Sequence, residues 1–533
     1  MSHRSLSGWQ VVRRLPGVRA VGAMALAGAL CSPGMAFAQA QTLNVALAAD
    51  IRSTDPGVNR DDMTDAVVLH VVEGLVGYRE NGTVAPLLAE SVDVSKDGMT
   101  YTFKLRRDVH FHNGAALTSA DVLWSWQRYT NPKTGWACLD EFDGRKGLKV
   151  TKVSAPDAYT VVMQLNRPAS LFLDTLARTY CGMTAVINKA SVKPDGTWDK
   201  PIGTGPFKLT EWKRGEYVLM SAYTGYKSPA GTRPDGYVGA KAPLVDTLKF
   251  AIVPDTASAK AGLQSGALSV ARVAPSDVVE LQADKRLKII VGQLASKNAL
   301  LIQTRDPVVG NQKLRQAIAA SLDIPQIAEA ISEGHGGPNS SAVPTTSSYY
   351  DATQKKGYTY DPALAKRLLK EAGYKGQKIV IFANKRVNVP SYTIAVIAQA
   401  MMQAVGINAV IEVLEWTTQL DRYYSGAYQI SSFSYSSRID PALSYEQFSG
   451  DKTKQPQKVW DDPRALALID QSREEADPVK RQAMFDQLHT MMLDQVPLIL
   501  LSNGMEPWAV GRKVEGFSAW EGKPRLWQTR LAK

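Results

Sequence analysis

Apolar residues along this chain follow two rhythms that alternate without forming an internal repeat. A period of two, the mark of a strand with one buried face, runs through Tyr101, Phe103 and Leu105 and predicts a strand over 100–105. Similar short runs predict strands over 43–48, 158–165, 217–221, 248–253 and 409–414, and the wholly apolar 498–501 predicts a buried one. Spacing of three and four predicts helices over 65–77, 311–322, 361–372, 392–405 and 477–496. Their ends carry local signals. Thr118-Ser119-Ala120-Asp121 reads as a capping box ahead of Val122, Leu123, Trp126 and Tyr129. Asp361-Pro362 and Asp477-Pro478 each put a carboxylate at an N-cap and a proline at the first helical position. Gly373 stands where a left-handed residue closes a helix, and Asn113-Gly114 marks a turn. Strands and helices alternate on both sides of about residue 295, which predicts an α/β protein with two lobes.

The first forty residues break this pattern. Arg4, Arg13, Arg14 and Arg19 precede an apolar run from Val21 to Leu30, no acid occurs, and Ala36-Phe37-Ala38 and Ala38-Gln39-Ala40 are small-x-small sites. Residues 1–40 are therefore expected to be a signal peptide cleaved after Ala38 or Ala40. Arg13-Arg14 continues poorly for twin-arginine export, and Leu30 stands where a lipoprotein cysteine at 31 needs a small residue. No other apolar run is long enough to span a bilayer, so an exported, periplasmic protein is expected. Losing four arginines and no acid takes the formal charge from +11 to +7. That charge is spread out, with no basic tract or aromatic-rich RNA motif, so nucleic acid is not an expected partner. Cys138 and Cys181 remain, and an oxidising compartment favours one disulfide over two separate buried thiols. At 44% apolar and 21% charged the 533 residues are ordinary globular chain, enough for several cores.

The segment Tyr435-Ser436-Ser437-Arg438-Ile439-Asp440-Pro441 concentrates a ring, two hydroxyls and a guanidinium just before a helix start. Asp440 suits the N-cap and Pro441 the first helical position. An arginine two residues upstream of a helix N-terminus suits a carboxylate or phosphate; the plain alternative is a capped helix with a solvated arginine.

Ordered blocks along the chain carry a resemblance. They are Val72-Glu73-Gly74-Leu75-Val76; Pro86 to Ser91 with Asp97-Gly98; Tyr101 to Arg106 with Phe111-His112-Asn113-Gly114 and Asp121-Val122; and Ile202 to Phe207. Further on come Leu314-Arg315-Gln316-Ala317-Ile318 with Leu322-Asp323, Asp361-Pro362 through Ala372-Gly373-Tyr374, and Val405-Gly406-Ile407. Together they resemble the extracytoplasmic solute-binding proteins of family 5, which serve peptide, opine and nickel ABC importers. The resemblance covers almost all of 42–533 and implies a type II periplasmic binding protein fold, α/β and two-lobed, closing on ligand by a hinge. It implies one lobe over 41–295 with an inserted subdomain at about 85–200, a second over 296–507, and a C-terminal return, 508–533, to the first. The crossings near 292–298 and 503–507 are the expected hinges. The implied partners are a small peptide or similar carboxylate-bearing solute, a permease and, through it, ATPase subunits, with the protein itself a monomer.

Within that frame Tyr435, Ser436, Ser437, Arg438 and Asp440 face the ligand. Relatives that bind free peptide amines often carry an aspartate at the position of Ser437; its absence, with Arg438 beside it, points to a carboxylate-rich ligand or one whose amine is held elsewhere. Arg386 resembles a family arginine that grips a peptide carboxylate, with Asn388 beside it, and Arg52 lies where the first lobe meets ligand. The plain alternative for each arginine is a surface ion pair. Enzyme chemistry is not expected: there is no H-E-x-x-H, C-x-x-C, G-x-S-x-G or P-loop. His110 and His112 alternate on a predicted strand without a third ligand, and His489 reads as structural, so neither a metal nor a cofactor is expected. The alternatives are a nickel or metal-chelate binder of the same family and a secreted hydrolase.

Overall fold

A ten-stranded mixed sheet runs through the computed structural model, which describes residues 41–386 and 389–532. The expected signal peptide and Asn388 lie outside the described residues. The strand order is Ala409–Val413, Ile379–Ala383, Ile430–Tyr435, Leu287–Ile302, Leu498–Gly511, Val270–Arg272, Thr42–Leu47, Thr247–Ile252, Tyr217–Ala222 and Phe207–Lys213. The two longest strands, Leu287–Ile302 and Leu498–Gly511, pair antiparallel at the centre. Strands from 379–435 flank them on one side, and strands from 42–272 and 207–252 on the other.

The cores divide in the same way. One gathers residues from Leu43 to Val270 and is completed by Trp508, Val510, Phe517, Trp520, Leu526 and Trp527. Two others, on either face of the remaining strands, draw on residues 299–501. The first core also takes in a separate four-stranded antiparallel sheet, ordered Ala89–Val94, Thr100–Leu105, Thr160–Leu165 and Val150–Asp157. Helix Ser119–Thr130 packs on that sheet through Val122, Trp126 and Tyr129, and its capping box between Thr118 and Asp121 forms as the sequence predicts. Cys138 and Cys181 form a disulfide beside it.

Two expectations are corrected. The helix expected over 65–77 is Asp62–Val68 and stops there. Beyond it the backbone serves tertiary partners: Phe207 N–H donates to His70 O (3.1 Å), Gly205 N–H to Val71 O (3.0 Å) and Val186 N–H to Glu73 O (2.9 Å). Every residue from Thr64 to Tyr78 is buried, so apolar spacing there carries no helical face. The stretches 292–298 and 503–507, the expected hinges, lie within strands, and the ladder between them loses register between Gln293–Met505 and Lys297–Asn503. His110 and His112 do not point the same way: His110 is exposed, while His112 is largely buried, bonded to Gly205 O (2.9 Å) and edge-on to Tyr223.

Candidate ligand-binding strip

Strand Ile430–Tyr435 is held by Leu287–Ile302 on one side, with Tyr435 opposite Lys297, and it delivers residues 436–440 to the boundary between the cores. Ile439 leaves this strip to pack beside Gly82 in the first core. Nearby, Ser348 N–H donates to Asn81 O (2.9 Å) and Ser170 N–H to Arg473 O (3.1 Å), so the two sets of cores touch around the strip.

Arg438 is exposed, and its guanidinium bonds only within the strip, to Ser436 Oγ (3.1 Å) and Ser437 O (2.9 Å). Among the described residues it has no ion-pair partner. Partial desolvation and the positive charge of Arg178 lower its pKa, against the opposite pull of Glu446 and Glu141. Arg178 is itself fixed by Asp174, through Nε (3.0 Å) and Nη2 (2.9 Å). Arg438 thus feels a second positive charge and has no counter-ion of its own among the described residues, an arrangement that favours an anion beside it.

Tyr435 is buried in an aromatic cluster, its ring 5.1 Å from Phe433 and 6.4 Å from Phe448. That cluster reaches the second cation candidate. Phe433 lies 5.8 Å from Trp416, and the Arg386 guanidinium stacks 3.6 Å above the Trp416 ring, with Nε turned to Asn384 Oδ1 (3.4 Å). Arg386 therefore stacks on the aromatic wall that Tyr435 joins, three residues before Arg438. Ser436 O accepts from Gln447 Nε2 (2.8 Å), and Ser437 lies beside the carboxylate of Glu521. Asp440 has a different environment. Its two oxygens accept from Arg481 Nη2 (2.9 and 3.0 Å), and Oδ1 also caps the helix Pro441–Glu446 through Ala442 N–H (2.9 Å). Arg52 is exposed, and no hydrogen bond or ion pair among the described residues joins its side chain to the strip. A groove of about 680 Å³ lies at the other end of strand Ile430–Tyr435, beside Tyr428, Phe382 and Lys452.

Arg178, Trp416, Lys297 and Glu521 were not singled out from the sequence. Lys297 left a signal, a lysine at the start of a run that is otherwise apolar from Ala299 to Ile302.

The model of the bacterial extracellular solute-binding proteins, family 5 Middle, matches residues 83–456. The chain belongs to this family. It is 29% identical to the dipeptide-binding protein of Escherichia coli (strain K12) over 493 residues, 86% of this chain and 88% of that one. It is 29% identical to the glutathione-binding protein GsiB of the same strain over 355 residues, 66% of this chain and 65% of that one. Among solved structures, HbpA2 from Haemophilus parasuis superposes with a TM-score of 0.79 at 24% identity, covering 92% of this chain and all of that one. The fold is accordingly the two-lobed fold of periplasmic binding proteins, and the relatives are solute-binding proteins rather than enzymes. Proteins of this kind bind a solute and work with the permease and ATPase of an ABC transporter. Among the described residues, no helix is long and apolar enough to cross a membrane.

Proposed function

We propose that this protein is the periplasmic substrate-binding subunit of an ABC importer and that it captures a small peptide or peptide-like solute through a carboxylate. The observation that carries the reading is the exposed guanidinium of Arg438, which has no ion-pair partner among the described residues and feels the positive charge of Arg178. Arg386 on Trp416 offers a second cation along the same wall, suited to a ligand with two separated anionic groups. The matches to dipeptide-binding and glutathione-binding proteins support the ligand class, since both ligands carry carboxylates. Ser437 supplies no charge for an amine, so the ligand is one whose amine is blocked or held elsewhere. We take 41–295 with 508–533 as the first lobe and 296–507 as the second, a division that follows core membership. In this reading the chain functions as a monomer, with a cleaved signal peptide at 1–40.

Ligand binding should stabilise the closed protein by about 2.7 kcal/mol at a hundredfold excess over Kd. The test is native mass spectrometry of solute carried through purification, followed by a thermal-shift panel of dipeptides, N-acetyl dipeptides, glutathione, opines and nickel–histidine. A carboxylate-bearing solute recovered intact, with affinity falling about tenfold (~1.4 kcal/mol) in Arg438→Ala, supports the reading. Recovery of a cleaved product, or equal affinity in the variant, overturns it.

A further inference from the structure

Where the central ladder loses register, Leu294, Ala295 and Ser296 face the single residue Gly504, and the Ala295 peptide is released from strand pairing. Its N–H donates to both carboxylate oxygens of Glu521 (2.9 and 3.1 Å), and its carbonyl accepts from Lys297 Nζ (2.9 Å). Lys297 Nζ also donates to Ser444 Oγ (3.0 Å), whose hydroxyl donates in turn to Arg438 O (3.2 Å). Lys297 is thus wired to the strip, yet only 1% of it reaches solvent and no carboxylate among the described residues lies within ion-pair distance. Two acceptors match the two N–H bonds of a neutral amine. A third proton has to be stabilised by charge alone, and the charges facing it are Glu521 from the C-terminal segment, which favours that proton, and Arg438 from the strip, which opposes it. Strand Leu498–Gly511 presents neutral Asn503 opposite, and helix Pro441–Glu446 presents the Ser444 hydroxyl.

We propose that Lys297 is a proton-linked positioning residue for the strip, so that capture of an anion by Arg438 is accompanied by a fractional uptake of protons from solvent at Lys297 Nζ. The inference rests on the anionic-ligand reading above. An anion on Arg438 cancels the positive field at Lys297, the ammonium becomes cheaper to hold, and affinity rises as pH falls. Burial brings the pKa of Lys297 down to about 7, which puts this exchange in the neutral range.

The test needs no ligand at first. Carbon-13 labelling of lysine Cε follows each amine by NMR between pH 5 and 10, in the native chain and in Arg438→Ala. Lys458, which also feels Arg438, is removed from both as Lys458→Arg, and Lys452, with a pKa lowered to about 8, serves as an internal reference without that coupling. The resonance lost in Lys297→Met should titrate near neutrality and move up by roughly 0.5–1 unit when Arg438 is removed. If Lys297→Met does not fold, the one resonance that moves with Arg438 makes the assignment. A Lys297 that stays charged to pH 9, or one whose midpoint ignores Arg438, overturns the proposal. N-acetyl-dialanine, a carboxylate without a titratable amine, then serves as the probe in calorimetry with two buffers of different ionisation heat. A fractional proton uptake near pH 7 is expected, and binding without uptake overturns the coupling. Failure of this probe to bind, with the NMR coupling intact, counts against the anionic-ligand reading alone.

Discussion

Asparagine at position 440 separates the buried charge of Asp440 from its helix cap. An asparagine oxygen still accepts from Ala442 N–H, so the start of Pro441–Glu446 keeps its cap. Arg481 loses its counter-charge while remaining 6% exposed. It retains Ser472 O (2.8 Å) and Tyr349 Oη (3.2 Å), and its guanidinium still lies 5.3 Å from the Tyr349 ring and 5.2 Å from that of Phe485. Removing one partner of a buried pair costs roughly 3–5 kcal/mol. The surviving partners put Asp440→Asn at the lower end, about 3 kcal/mol, or about 6–12 °C in Tm for a cooperative unit of lobe size. Calorimetric unfolding and urea titration measure the loss. The double variant Asp440→Asn/Arg481→Met, which removes both charges, should return to within about 1 kcal/mol of the native chain. A single variant costing under about 1 kcal/mol, or a double variant no better than the single, would refute a buried pair as the anchor of the strip.

Replacing Cys138 and Cys181 by serine opens a loop with a sequence separation of 43, and chain entropy sets the loss at about 4 kcal/mol; chemical denaturation with and without reductant checks it. Burial holds His70 neutral with its pKa down to about 3, Lys241 adding to the effect, while Nε2 accepts from Leu526 N–H (3.2 Å). A depressed folded value means that its contribution is complete above about pH 6.5 and is lost as pH falls toward 3, so His70→Gln should flatten the acid limb of Tm against pH. An unchanged slope in that variant would assign the acid limb to other groups.

What the sequence shows clearly is what depends on neighbours in the chain. The caps at Asp361, Asp440 and Asp477 form because each carboxylate accepts from a peptide two or three residues ahead, and Thr118 donates its N–H and hydroxyl to the carboxylate of Asp121 three residues on. The strip at 435–441 could be located for the same reason. The partners that decide its chemistry could not: Arg481 reaches Asp440 across 41 positions, Glu521 meets Ala295 across 226, and Arg178 belongs to another core. Periodicity misled at 65–77 because a segment buried on every side has no polar face to give it a phase. The glycine and asparagine of 292–298 and 503–507, which marked expected hinges, lie inside a ladder that slips.

The last strands have a consequence for the order of assembly. Residues 299–501 supply two cores from one unbroken length of chain, so that half is complete as soon as its own sequence is available. The core around Leu43, Val45 and Phe250 waits for Trp508, Trp520 and Trp527, contributed by the final thirty or so residues. A ribosome or a translocation channel releasing the chain from its N-terminus delivers the second half of the protein in foldable form before the first. Residues 41–270 therefore wait for the last residues of the chain to complete their core, which exposes that half longest to chaperones and proteases.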